Sequence, residues 1–154
     1  MKKSYYCFLF LIFFIPSNTS AQQYQISSPD VHLSIQIKNE KSLHFSLIKN
    51  GKVVIPSVEI AMNLQQEMIP SEKDKISKAA KQQITQIIHP VVAIKNSTIK
   101  DEYHELRLQY KNHFSVVFRV YNDAAAYRFE TNFPDSITVM HERFNVSLPE
   151  NSTA

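Results

Sequence analysis

Apolar and polar residues alternate along much of this chain with a period of two, the signature of strands with one buried face. Val31, Leu33, Ile35 and Ile37 form the first run, and Leu43, Phe45 and Leu47 resume it after the turn residues Asn39, Glu40 and Lys41. Asn50 and Gly51 are the strongest hairpin dipeptide in the sequence and predict that Val53 to Ile55 pair back. Pro56 then interrupts, so Val58, Ile60, Met62 and Leu64 read as another short strand or a sheet edge. Thr85 to Ile99 reads as extended, with Val91, Val92 and Ile94 beside Pro90, and Ile137 to Leu148 as the last strand before a polar tail.

The clearest pattern lies between Tyr103 and Glu130. His104, Leu106, Leu108 and Tyr110 share one face, and Tyr103, Glu105, Arg107 and Gln109 the other. After Lys111, Asn112 and His113, a second run puts Val116, Phe118 and Val120 opposite Val117, Arg119 and Tyr121, so the two form a hairpin. Asn122 and Asp123 suit a second turn, because their side chains bond nearby backbone and tolerate left-handed φ. Tyr127 and Phe129 then face inward from a third strand. Many short strands joined by regular turns predict an all-β, antiparallel β-sandwich.

YHEL at Tyr103 to Leu106 and FRVYNDAAAYRF at Phe118 to Phe129 resemble the YNEL and FRVYNDGVAYRY patterns of the N-terminal domain of glycoside hydrolase family 97. SSPD at Ser27 to Asp30, NGKVVIPSVEIAMNL at Asn50 to Leu64, and HPVVAIKNSTIKDEYHEL at His89 to Leu106 are similar to further stretches of that domain, in the same order. The resemblance spans most of Ser27 to Phe144. It implies a supersandwich of the mutarotase-like kind, incomplete here because the family's domain continues further. It also implies a following (β/α)8 barrel with the catalytic carboxylates, and a calcium site that takes a glutamate from the later part of the N-terminal domain. The activity implied for the full-length family is that of an α-glucosidase or α-galactosidase.

The departures are specific. Gly51 is the only glycine, and Val31, Ala61, Ala93 and Ala124 stand where the family has turn glycines. Ile88 replaces a tryptophan, and His104 the asparagine of YNEL. Within Glu67 to Ile87, Ser71 with Asp74 resembles a helix capping box and KISKAAKQQI favours a helix by propensity. The resemblance puts a strand and a loop there instead, and strand is the reading preferred.

Composition adds limits. With 154 residues, 44% apolar, the chain suffices for one globular domain. Lys2 and Lys3, the apolar run Tyr5 to Ile15, Pro16, and small Thr19 and Ala21 form a signal peptide over residues 1–21, leaving 22–154 as a partial N-terminal sandwich domain. The run is shorter than the ~20 residues a bilayer span needs, so no stable membrane anchor is expected. The mature chain is periplasmic or secreted, loses Cys7 with the leader, and keeps no disulfide or thiolate chemistry. A net charge of +3, falling when Lys2 and Lys3 leave, supplies no basic patch for nucleic acid.

A glycosidase needs two acids held across a bound sugar. Asp101, Glu102, Glu105, Asp123, Glu130 and Glu142 are the candidates, and each has a better structural reading: Asp123 in a turn, Glu105 and Glu130 exposed or paired with Arg107, Arg119 or Arg128. No catalytic residue is assigned. Among His32, His44, His89, His104, His113 and His141 there is no HxxxH or HExxH spacing, and Glu102 with His104 reads as a solvent-facing pair before a metal site. No metal or cofactor is assigned to this segment, calcium being expected only of the full-length family. Tyr24, Tyr103, Tyr110, Tyr121 and Tyr127 are the aromatics available to stack on a sugar, with core filling the expected fate of most. The sequons at Asn18, Asn96, Asn145 and Asn151 are read as chance.

The expectation is an N-terminal module ended early by a truncated frame, inactive alone, whose partners are a barrel domain encoded downstream and an oligosaccharide. The rival is a stand-alone periplasmic sandwich that binds glycan or protein. Export should leave Gln22 as the first residue, which mass spectrometry of the exported protein checks; an intact Met1 would refute cleavage.

Overall fold

The computed structural model describes residues 22–92, 96–149 and 152, so the leader over residues 1–21, Ala93 and Asn151 lie outside the described residues. The described residues hold ten strands and no helix. They are β1 (Gln22–Ser27), β2 (Leu33–Asn39), β3 (Leu43–Lys49), β4 (Lys52–Leu64), β5 (Met68–Ile69), β6 (Ile76–Ile88), β7 (Ile99–Tyr110), β8 (Phe114–Val120), β9 (Ala125–Thr131) and β10 (Val139–Ser147). One sheet runs β1-β2-β3-β4-β10, with β5 also on β4, and the other runs β6-β7-β8-β9. All the pairings are antiparallel, and the two sheets pack face to face.

The core is the meeting of two alternations. Leu33, Ile35, Ile37, Leu43, Val58 and Ile60 come from the first sheet, and Leu106, Leu108, Tyr110, Phe114, Val116, Phe118 and Val120 from the second. Each fully buried large apolar side chain contributes about 1.5–3 kcal/mol relative to exposure, so these alternating positions supply most of the drive to fold. Phe45 fills the middle, edge-on to Phe118 at 5.8 Å and tilted against Tyr127 at 6.1 Å.

Several expectations are corrected. Pro56 does not end a strand: β4 runs unbroken through it, between β3 and β10 rather than at an edge. Proline cannot donate to a ladder, and register shifts around Leu47 absorb the misfit, while the Pro56 carbonyl accepts from Ser46 Oγ at 2.7 Å. The strands are not all short, since β4 and β6 have 13 residues each. Extended pairing from Thr85 stops at Ile88, and Val91 and Val92 lie exposed in the loop beyond. Glu67 to Ile87 holds β5 and most of β6, as the strand reading expects. The capping-box pair closes a turn instead of a helix, with Asp74 Oδ2 accepting from Ser71 N at 2.7 Å and Ser71 Oγ at 2.9 Å.

The glycine replacements differ among themselves. Ala61 lies inside β4, fully buried, and not in a turn. Among the described non-glycine residues, left-handed φ occurs at Val31 (59°), Asn50 (50°) and His113 (61°), so Ala124 and its neighbours Asn122 and Asp123 do not adopt it. That turn is closed instead by Tyr121 N donating to Ala124 O at 2.8 Å. Asn50 and Gly51, both at positive φ, make the expected hairpin between β3 and β4.

Val31 is therefore the strained replacement: β-branched, 75% exposed, and left-handed. A Cβ there costs about 1–2 kcal/mol, which glycine recovers less its larger unfolded-state entropy. Val31→Gly should raise Tm by roughly 2–4 °C and Ala124→Gly should not raise it, as thermal melts followed by circular dichroism would show.

Candidate functional site

Three of the motifs meet at one end of the sandwich. In the β1–β2 loop, Ser28 Oγ donates to Asp30 Oδ1 at 2.6 Å, His32 N donates to the same oxygen at 3.1 Å, and Leu33 N donates to Ser28 Oγ at 3.0 Å. Asp30 N donates in turn to Asn122 Oδ1 at 3.1 Å, tying SSPD to the YND turn across 92 residues of sequence. Asn50 N donates to His32 O at 2.8 Å, and the His32 ring lies 3.0 Å from Asn50 Oδ1. These contacts fix the loop that strains Val31. The Ser28 hydroxyl, with the His32 amide, holds the Asp30 carboxyl below its usual range.

Beside this end, the outer face of the second sheet carries a charged cluster. Gln82, Glu105 and Arg119 stand directly opposite one another on β6, β7 and β8. Glu105 is 2% exposed; it accepts from Arg119 Nε at 2.9 Å and from Gln82 Nε2 at 2.9 Å, with Arg107 3.8 Å away. The Arg119 guanidinium lies 4.4 Å over the Tyr103 ring, which itself packs against Tyr121 at 5.0 Å. Arg107 bridges onward to Glu130, which also accepts from Arg128 Nε at 2.7 Å. The hydrogen bond from Arg107 keeps the Glu130 carboxyl below its usual value. Glu105 and Glu130 are thus paired as the sequence suggests, but Glu105 is buried rather than exposed.

Three of the remaining acids are also occupied. Asp101 accepts from Gln86 Nε2 at 2.8 Å, Glu102 pairs with Lys100 at 2.5 Å, and Glu142 accepts from the Tyr127 hydroxyl. Asp123 sits in its turn. Two acids facing each other across a cleft are therefore not assembled from the six candidates among the described residues. Glu102 and His104 are half-buried, not solvent-facing, and each has its own partner: His104 Nδ1 lies 2.7 Å from the Ser27 carbonyl oxygen. Among the described residues no three His, Asp or Glu side chains converge on one point.

Of the other histidines, His141 bonds Asn63, while His89 and His113 are exposed in loops. His44 has two partners, with Ser42 Oγ 2.7 Å from Nε2 and Ser57 Oγ 3.3 Å from Nδ1. A serine nucleophile also needs an acid to orient the imidazole. Glu59, opposite His44 in the ladder, is instead held by Asn145 and Arg143, whose hydrogen bonds lower its carboxyl. The tyrosines pack: Tyr110 stacks on Phe114 at 4.4 Å, Tyr127 on Phe144 at 6.0 Å, and Tyr24 lies against the core. Burial raises the Tyr110 and Tyr127 phenols above their usual values, and the Glu142 carboxylate adds to this for Tyr127.

Sequence reasoning missed Gln82 and Asp74. Gln82 becomes a partner for Glu105 only once β6 is a strand in register with β7. Asp74, 4% exposed and bonded to Ser71 and Asn112, had only a helix cap as its sequence signal.

Comparisons with known proteins follow the same outline. The family model described as glycosyl-hydrolase 97 N-terminal matches residues 26–154. A retaining alpha-galactosidase of Bacteroides thetaiotaomicron is 28% identical over 148 residues, 96% of this chain and 22% of that protein. Among solved structures, a beta-arabinopyranosidase superposes with a TM-score of 0.73 at 23% identity, covering 84% of this chain and 22% of that one. A glycoside hydrolase family 97 enzyme from Pseudoalteromonas sp. strain K8, in complex with acarbose, gives 0.70 at 20% identity, covering 82% and 20%. The chain spans about a fifth of the length of these proteins.

Two outcomes follow from the charged cluster. Glu105→Ala strands the Arg119 guanidinium and should destabilise the chain by about 2 kcal/mol, between the exposed and buried limits for ion pairs, read from urea denaturation. Because Glu130, Glu59 and Asp30 titrate lower in the folded than in the unfolded chain, their stabilisation is present above the ordinary carboxylate range, about pH 4, and is lost as pH falls below it. Glu130→Gln should flatten that acid limb in a plot of denaturation midpoint against pH.

Proposed function

The chain belongs to the glycosyl-hydrolase 97 N-terminal family, and from that membership we propose that it is the module of an exported glycoside hydrolase that packs on and supports a catalytic (β/α)8 barrel. The observation that carries this is the match itself: one N-terminal family model accounts for residues 26–154. The occupied acids support it. Glu105, Glu130, Glu102 and Asp101 hold strands together, so none of these four has the environment that splits an acid from a nucleophile. The α-glycoside chemistry of the parent enzyme, and any calcium it uses, belong to other residues of that enzyme. The Lys2 to Ala21 pattern supports export of the module to the periplasm or out of the cell.

A stand-alone glycan- or protein-binding sandwich is the second reading, and one observation favours it. The motif end and the cleft beside β1 carry side chains, Val31 and His104, that depart from the family pattern.

The segment from Gln22 to Ala154 should hydrolyse no nitrophenyl α-glucoside or α-galactoside, with or without added calcium. Placed in the Bacteroides alpha-galactosidase in exchange for the matching fifth of that enzyme, it should give a soluble, active chimera where deletion of the fifth does not. Turnover by the segment alone, lost on Glu105→Gln, would overturn the proposal.

A further inference from the structure

We propose that the cleft between β1 and the β6–β7 hairpin binds a saccharide bearing a carboxylate group, with Lys81 as the charged contact and His104 as the group that orients the sugar. The choice of a sugar rests on the carbohydrate-related reading above; the preference for an anion rests on the cleft alone. The inner positions of β6 lie opposite the inner residues of β7, Lys81 across from Leu106 and Gln83 across from His104. In a closed two-sheet sandwich such positions would be apolar. Here they line, with Gln82, His104 and the β1 residues Gln25, Ile26 and Ser27, a cleft of about 510 Å³. That volume lies within the roughly 300–1,000 Å³ typical of small-ligand sites.

Three features set the ligand chemistry. No carboxylate lines the cleft, and Lys81 takes part in none of the ion pairs among the described residues, so its charge is uncompensated. The His104 ring is fixed before any ligand arrives: the Ser27 carbonyl can only accept, so Nδ1 carries a proton and Nε2 is the ring nitrogen left to meet a hydroxyl. The amides of Gln25 and Gln83 both donate and accept, as vicinal hydroxyls require, and Ile26, 5% exposed, gives an apolar floor.

Isothermal titration of the whole chain with digalacturonate, neutral galactobiose and glutarate tests this. Digalacturonate should saturate with Kd of about 1 mM, and galactobiose should bind roughly fivefold more weakly. Lys81→Gln should bring digalacturonate down to the galactobiose value, and His104→Gln should weaken both sugars. Lys78→Gln, on the same strand outside the cleft, should change neither. Lys81 is exposed on an edge strand, so its variant keeps the fold, which its melting curve checks. Equal binding of the two sugars, no saturation by digalacturonate, or the same loss from Lys78→Gln overturns the site. Glutarate binding as tightly as digalacturonate overturns the sugar assignment. Each of these results leaves the domain-packing reading standing, since that reading is decided by chimera activity.

Discussion

Strand β7 has to be satisfied on both faces, and much of the architecture follows from how that is done. Inward, Leu106, Leu108 and Tyr110 enter the core; outward, Tyr103 and Glu105 are buried as deeply although no second layer covers them. A carboxylate that dry is tolerated only with charge-assisted partners. Arg119 from one flanking strand and Gln82 from the other supply them in a single cross-strand rung. A one-residue slip of β8 would turn Arg119 to the wrong face and expose Val116, Phe118 and Val120 at once, so on that side the rung and the core specify the same register.

This explains what was legible. The β7–β8–β9 meander could be read from alternation because one face of each strand is buried in the sandwich. Strand β6 could not, because it is an edge with nearly every side chain exposed, and AAKQQ carries no period when neither face is covered. Its propensity is helical, and pairing with β7 overrides it. The site was legible to the same degree. The Glu–Arg pairings followed from face assignment, whereas Gln82 depended on β6. The turns were least legible, since φ at Val31 or Ala124 is decided by contacts that the local sequence does not contain.

The loop at Val31 shows such contacts at work. Seven hydrogen bonds converge on Ser28 to Leu33, one of them from Asp30 to the Asn122 side chain in the distant turn. They over-determine the backbone, so a β-branched residue is held in a conformation it would otherwise leave. The Asn122 side chain joins this clamp, and the turn from Asn122 to Ala124 holds no left-handed residue.

At the opposite side, the sandwich is open. Strands β9 and β10 each pair on one edge only, and the inner face of β10 is thinly covered, with Phe144 55% exposed though stacked on Tyr127. Ile35, Phe45, Phe118 and Tyr127 line an apolar cleft there. Unpaired edges beside an apolar face are unfavourable in water and favourable for joining further polypeptide. The chain thus concentrates its charge where its own strands must be locked and leaves its apolar surface where more protein can attach. Glu105, Glu130, Glu102, Asp101 and Glu142 are committed to arginine, lysine, amide and phenol partners, and so act as fasteners between strands.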